Sequence, residues 1–216
     1  MKYKLAIFDL DGTLLDTLED LKDSVNYALG QYGLPLRSYG EVRRIVGHGI
    51  RNLIDNAVPP DTAPELTDCV FEAFKAHYKL HCADKTAPYP GVCDLLRDVR
   101  AAGIYVGVIS NKADGAVQEL MTTYFGGLVD IARGELPGVP RKPAPDGVLA
   151  MINGFGIAPG EAVYIGDSEV DVETARNAGL DHIIVTWGFR DREQLVECGA
   201  RVFADRAEDV FRLLTE

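Results

Sequence analysis

The chain has 216 residues and a formal net charge of −11. That length supports one large or two small domains with a sizeable core, and 47% apolar residues is the content of a globular protein rather than a disordered one. The acidity argues against nucleic acid, whose phosphate backbone needs a basic footprint, and no apolar run approaches a membrane span in length.

Met1-Lys2-Tyr3-Lys4 runs straight into the first predicted strand, Leu5–Phe8. A cleaved signal there would take the strand with it, so a cytoplasmic location is expected. The strand ends in Asp9-Leu10-Asp11-Gly12-Thr13. Side chains two apart on a strand point the same way, so Asp9 and Asp11 emerge together and Gly12 lets the backbone turn beside them. Asp-Gly alone reads as a turn, but a turn does not explain Asp9. Two carboxylates side by side repel, so one stays protonated or a cation lies between them. One can then attack while the other carries a proton.

Residues 17–84 contain no convincing strand. Leu18, Leu21, Val25, Ala28 and Leu29 recur at helical spacing, as do Val42, Ile45 and Val46, then Ile50, Leu53, Ile54 and Ala57, then Val70, Phe71, Phe74 and Tyr78. An all-helical insert is predicted, returning through the stiff segment Pro88-Tyr89-Pro90-Gly91. Within it, Gly47-His48-Gly49 separates two helices and Arg51 falls in the first turn of the second. The plain reading is a capping glycine and a joint. Arg51 has the bidentate group that suits a small carboxylate.

From Val92 onward strands and helices alternate. Strands are predicted at Ile104–Ile109, Leu128–Ile131, Ala162–Ile165, His182–Val185 and Arg201–Phe203. Helices are predicted near Val92–Ala102, Ala113–Tyr124, Asp146–Phe155, Asp171–Ala178, Arg192–Cys198 and Glu208–Leu214. The fold class is therefore α/β, a Rossmann-like parallel sheet covered by helices, with ligands expected beyond the carboxyl ends of the strands. The expected organisation is a discontinuous core, residues 1–16 and 85–216, and a helical cap, residues 17–84.

Three strand-end segments carry polar chemistry. Ser110-Asn111 closes a strand before a helix and reads as a helix N-cap, a place that also offers donors to an anion. Lys142 lies in Arg141-Lys142-Pro143-Ala144-Pro145-Asp146, a rigid loop that would fix a cation, with Pro145 starting the helix and Arg141 on the surface. Gly166-Asp167-Ser168-Glu169-Val170-Asp171 follows a strand, and Ser168 with Asp171 reads as a capping box. Cys69, Cys82, Cys93 and Cys198 form no Cys-x-x-Cys pair, which disfavours zinc. Free, mostly buried thiols in a reducing compartment are expected.

These four segments, in this order, resemble the motifs of haloacid dehalogenase-type phosphohydrolases: Asp-x-Asp-Gly-Thr, a strand-end Ser or Thr, Lys-Pro-x-Pro and Gly-Asp-x-x-x-Asp. The resemblance implies that Asp9 takes the phosphoryl group and Asp11 is the acid/base. It implies that Thr13, Ser110, Asn111 and Lys142 hold phosphate and offset its charge. Mg2+ would be held by the Asp9 carboxylate, the Asp11 carbonyl and Asp167, while Asp171 would hold a metal-bound water or orient Lys142. Hard oxygen ligands suit that ion.

The segment Ile45-Val46-Gly47-His48-Gly49-Ile50-Arg51, with Asp16-Thr17 and Val185-Thr186-Trp187-Gly188, resembles phosphoglycolate phosphatases. The implied function is hydrolysis of a small phosphorylated metabolite, with phosphoglycolate leading and His48 and Arg51 as cap contacts. A pyrophosphatase, a nucleotide phosphatase or a β-phosphoglucomutase of the same superfamily stays open, and so, more remotely, does a phosphoaspartate signalling switch. Neither nucleic acid nor membrane is expected as a partner, and the sequence leaves the oligomeric state open.

Overall fold

A computed structural model describes residues 2–216. In chain order, β1 (Leu5–Phe8) and β2 (Leu15–Asp16) precede four helices, α1 (Leu18–Gln31), α2 (Tyr39–Ile45), α3 (Gly49–Ala57) and α4 (Pro64–His81). Then follow β3 (Ala87–Pro88), α5 (Val92–Ala101), β4 (Tyr105–Ala113), α6 (Asp114–Phe125), β5 (Ile131–Glu135), α7 (Asp146–Phe155) and β6 (Ala162–Gly166). The chain ends through α8 (Glu169–Ala178), β7 (Asp181–Val185), α9 (Arg192–Glu197), β8 (Phe203–Ala204) and α10 (Ala207–Thr215). The contacts divide it into two compact units. One comprises residues up to Leu15 together with Pro88–Glu216, and the other comprises Asp16–Ala87.

The first unit holds a parallel six-stranded sheet in the order β5-β4-β1-β6-β7-β8. Strand alternation gives it two cores. Ala6, Phe8, Val106, Val108, Val163 and Ile165 face one way, against Leu96 and Val99 of α5, Val117 and Leu120 of α6 and Val210 and Leu214 of α10. Leu5, Ile7 and Tyr164 face the other way, against Val148, Met151 and Ile152 of α7 and Ala175 of α8. Because both faces are covered, β1 reads as an unbroken apolar run, the mark of an interior parallel strand. Each large apolar side chain fully withdrawn from water contributes about 1.5–3 kcal/mol, which makes the central strands the rigid part of the scaffold. The chain leaves β1 for β4 and β5 on one side and builds β6, β7 and β8 on the other. The strand order therefore reverses at β1, where a crevice opens at the carboxyl ends of the strands.

The second unit is helical. Leu21, Val25, Ala28 and Leu29 of α1 are buried, as are Val42 of α2, Leu53, Ile54 and Ala57 of α3, and Val70, Phe74 and Tyr78 of α4. Ser38 and Glu41 form a capping box at the start of α2, and Pro64 opens α4. Buried Asp20 of α1 accepts from the backbone N–H of Lys85 (3.0 Å) and from the N–H and hydroxyl of Thr86 (both 2.8 Å).

Several sequence expectations are corrected. The strand expected at Leu128–Ile131 lies at Ile131–Glu135. As the sheet edge, β5 does not need an apolar face, and its sequence Ile131-Ala132-Arg133-Gly134-Glu135 shows none. Ser110 and Asn111 are not helix caps. β4 continues past them to pair Ala113 with Glu135, and α6 starts only at Asp114. The expected Ser168/Asp171 capping box, by contrast, is present at the start of α8: the Asp171 carboxylate accepts from the Ser168 N–H at 3.0 Å, and the Ser168 hydroxyl donates to it as well. Of the four cysteines, all free, only Cys82 is buried. Cys69, on the outer face of α4, and Cys198, in the turn after α9, are exposed.

Candidate active site

The carboxyl ends of β1, β4 and β6 bring the polar segments together. Asp9 follows β1, and its N–H donates to the Ile165 carbonyl of β6 at 2.8 Å. Its carboxylate lies 2.8 Å from Lys142 Nζ, and the same ammonium reaches Asp171 Oδ1 at 2.9 Å and the Tyr164 hydroxyl at 3.0 Å. The second oxygen of Asp171 accepts from the N–H groups of Asp167 and Ser168 at 3.1 and 3.0 Å. Asp171 is thus tied to the start of α8 and to Lys142, the geometry of a group that orients the lysine.

Asp167 is held on both oxygens. Thr13 donates its hydroxyl to Oδ1 (3.0 Å) and Phe189 its N–H to Oδ2 (2.7 Å). The hydroxyl of Thr13 therefore braces a carboxylate here. Gly12 turns with φ +89°, and a Cβ there would overlap the Asp167 carboxylate, so glycine is required on both counts. The Trp187 indole N–H donates to the Thr13 carbonyl at 3.0 Å and so fastens this turn. Asn111 donates from its side chain to the Lys142 carbonyl at 3.0 Å, bracing the lysine loop. Ser110 Oγ lies 3.5 Å from Asp11 Oδ2. Arg141 is exposed, and Pro145 occupies the cap position of α7.

The electrostatics call for a cation. One oxygen each from Asp9, Asp167 and Asp171 lie within 4.8 Å of one another. Burial holds the Asp9 carboxyl well above the usual carboxylate range; Lys142 opposes this, and Asp171 and Asp167 reinforce it. Burial also pushes Asp167 up to about 7, helped by the Asp171 charge and opposed by the Phe189 N–H and the Thr13 hydroxyl. For Lys142, burial alone would lower the pKa, but Asp171 and Asp9 outweigh it and the pKa stands raised. Four carboxylates, those of Asp9, Asp11, Asp167 and Asp171, meet two ammonium groups, those of Lys112 and Lys142. A cation among them would favour the ionised forms of Asp9 and Asp167 that burial opposes. The donor set, all oxygen with few protein groups, fits a hard cation.

His48 and Arg51 belong to the helical unit. His48 occupies the N-cap position of α3 without a side-chain cap bond. Arg51 pairs with Asp55 at 2.9 Å and Asp68 at 2.5 Å and lies over the Phe71 ring. Exposed pairs of this kind contribute about 0–1 kcal/mol, little enough for a ligand carboxylate to displace.

Sequence reading missed three contributors. Tyr164 sits in an apolar run, yet its fully buried hydroxyl accepts from Lys142; a phenol deep in a strand needs such a partner. The N–H of Phe189 acts through the backbone and has no signal in side-chain type. Lys112, directly after Ser110-Asn111, is buried with its Nζ 2.9 Å from Asp11 Oδ1.

Residues 6–185 match the sequence profile of the haloacid dehalogenase-like hydrolases. The chain belongs to that family. A phosphoglycolate phosphatase of Agrobacterium fabrum is 35% identical over 195 residues, covering 87% of this chain and 82% of its own. An N-acetylmuramic acid 6-phosphate phosphatase of Pseudomonas aeruginosa is 29% identical, covering 99% and 96%. A crystal structure from Lactobacillus delbrueckii subsp. bulgaricus, named as a candidate phosphoglycolate phosphatase, superposes with a TM-score of 0.94 at 38% identity, covering 99% of both chains. Among the described residues no helix is long and apolar enough to cross a membrane.

Proposed function

We propose that this member of the family is a Mg2+-dependent phosphomonoester hydrolase working through a phosphorylated Asp9, with phosphoglycolate as its leading substrate. The observation that carries the reading is the Asp9 carboxylate at a strand end, ion-paired with buried Lys142 and ringed by Asp167 and Asp171. The substrate rests on the names of relatives such as the Agrobacterium fabrum enzyme and on the cap segment around His48 and Arg51. Four free cysteines fit a reducing, cytoplasmic setting.

The carboxylates of Asp9 and Asp167 and the backbone carbonyl of Asp11 would hold Mg2+, with Asp171 fixing Lys142. Bound there, Mg2+ supplies positive charge to the phosphoryl oxygens. Lys142 adds a second cation, and Ser110 Oγ and nearby N–H groups orient the phosphate. The Asp9 carboxylate attacks phosphorus in line, the phosphorus–ester oxygen bond breaks, and Asp11 gives its proton to the leaving alkoxide. Asp11 then takes a proton from water as that water attacks the phosphoryl group on Asp9, releasing phosphate and restoring the carboxylate. Positioning and charge neutralisation supply most of the acceleration.

The test is Asp9→Asn assayed on phosphoglycolate with Mg2+. Loss of the nucleophile should lower kcat at least ~1,000-fold, the scale on which catalytic nucleophiles act. Turnover near that of the wild type would remove Asp9 from the chemistry. An active wild type with no preference for phosphoglycolate in a panel of phosphomonoesters would remove the substrate assignment alone.

A further inference from the structure

We propose that Arg190 is a positioning residue for the metal site: clasped to Glu169, it holds the Phe189 N–H on the Asp167 carboxylate and so sets the affinity for the divalent ion. The inference rests on the reading of Asp167 as a metal ligand.

The segment after β7 crosses the site as a strap. The Trp187 indole N–H donates to the Thr13 carbonyl at 3.0 Å, and the Phe189 N–H donates to Asp167 Oδ2 at 2.7 Å. Between them, a Cβ at Gly188 would overlap the Asp167 side chain, so the strap lies directly on that carboxylate. The next residue fastens it. Arg190 Nε donates to Glu169 Oε2 at 2.7 Å, and Nη2 donates to Oε1 at 2.9 Å. Glu169 opens α8, just past Asp167. The two contacts thus close a small ring, Asp167-Ser168-Glu169 on one side and Phe189-Arg190 on the other.

A bidentate guanidinium–carboxylate pair fixes direction as well as distance. The Arg190 side chain is only 8% exposed. A guanidinium buried to that degree is costly unless it is paired, so this is not an incidental surface contact. A carboxylate that ligates a metal is oriented by the bonds its oxygens accept. Asp167 accepts one from the Thr13 hydroxyl and one from the Phe189 N–H. The second depends on where the strap lies, which the clasp decides. Charge alone predicts a different pattern. A guanidinium near the site repels a cation, so losing the Arg190 charge would tighten binding, whereas losing the Glu169 charge would weaken it. With a clasp, either loss weakens binding.

The experiment titrates Mg2+ by calorimetry at about pH 9, where Asp167, with a pKa of about 7, is ionised. The proteins are wild type, Arg190→Met, Glu169→Met, the double variant and Asp167→Asn. Hydrogen exchange of the Phe189 amide is followed by NMR in the metal-free proteins. Removing a partner that orients a metal ligand typically costs about 10–100-fold in affinity. Each single variant should lose at least ~10-fold, and the double variant no more than the weaker-binding single. The Phe189 amide should exchange faster in all three, while the amides of β1 and β6 stay protected and report a folded core. The double variant leaves neither charge of the pair behind, so it carries the test if a single variant fails to fold. Unchanged affinity, tighter binding by Arg190→Met, losses that multiply in the double variant or an unchanged Phe189 amide would overturn the proposal, provided Asp167→Asn binds Mg2+ more weakly than wild type. If Asp167→Asn binds as well as wild type, Asp167 is not a ligand and the proposal falls with that reading.

Discussion

Asp167 decides how the site responds to pH. Its folded-state pKa of about 7 stands above the ordinary 3.8, chiefly through burial, and Asp9 is shifted in the same direction. Carboxyls raised in this way stabilise the metal-free fold fully below their unfolded pKa. That contribution is lost as pH rises through the folded value, so metal-free protein should lose stability between about pH 4 and 7. Metal binding needs the ionised form and so releases protons. Mg2+ affinity measured by calorimetry should weaken by up to ~10-fold per pH unit below about 7, with proton release that depends on the buffer. Equal affinities at about pH 6 and pH 8 would show that these carboxyls are already ionised. At this scale the sequence was informative wherever spacing alone placed a side chain. Asp9 and Asp11 flank one residue at a strand end, and both meet site lysines. Tyr164 and the Phe189 N–H were hidden, because a core tyrosine and a backbone group carry their roles only in three dimensions.

Among the elements, the helical unit is closed by one acid. Asp20 of α1 is 2% exposed and holds Lys85 and Thr86, sixty-five and sixty-six residues further along the chain. Asp20→Ala would remove both acceptor oxygens and leave those donors unsatisfied, a loss of about 1–3 kcal/mol. Urea unfolding should shift to lower concentration, and the amides of Lys85 and Thr86 should lose protection from hydrogen exchange. An unchanged midpoint and unchanged protection would mean that these bonds do not stabilise the unit. Elements with a buried stripe were legible: α7 falls at Asp146–Phe155 as its periodicity indicates. β5 was displaced by three residues because an edge strand obeys no apolar pattern, and the end of β4 was placed too early because the strand runs on through polar residues to Ala113.

For the molecule as a whole, a chain of net charge −11 that handles a phosphate must offset that phosphate's charge at one place. The strand order supplies that place. The strand order reverses at β1, and the end of β4 and the loop after β5 deliver Lys112 and Lys142 to four carboxylates. This architecture was legible because alternating strands and helices permit few topologies. The charge balance was not, since it depends on which side chains are buried together. The central claim is that phosphate is carried transiently on Asp9. Rapid acid quench of enzyme mixed with radiolabelled substrate and Mg2+, followed by peptide mapping, tests it most directly. Label should appear within one turnover on the peptide containing Asp9 and be absent in Asp9→Asn. Label on another peptide, or turnover with no labelled protein at any time, would contradict the account.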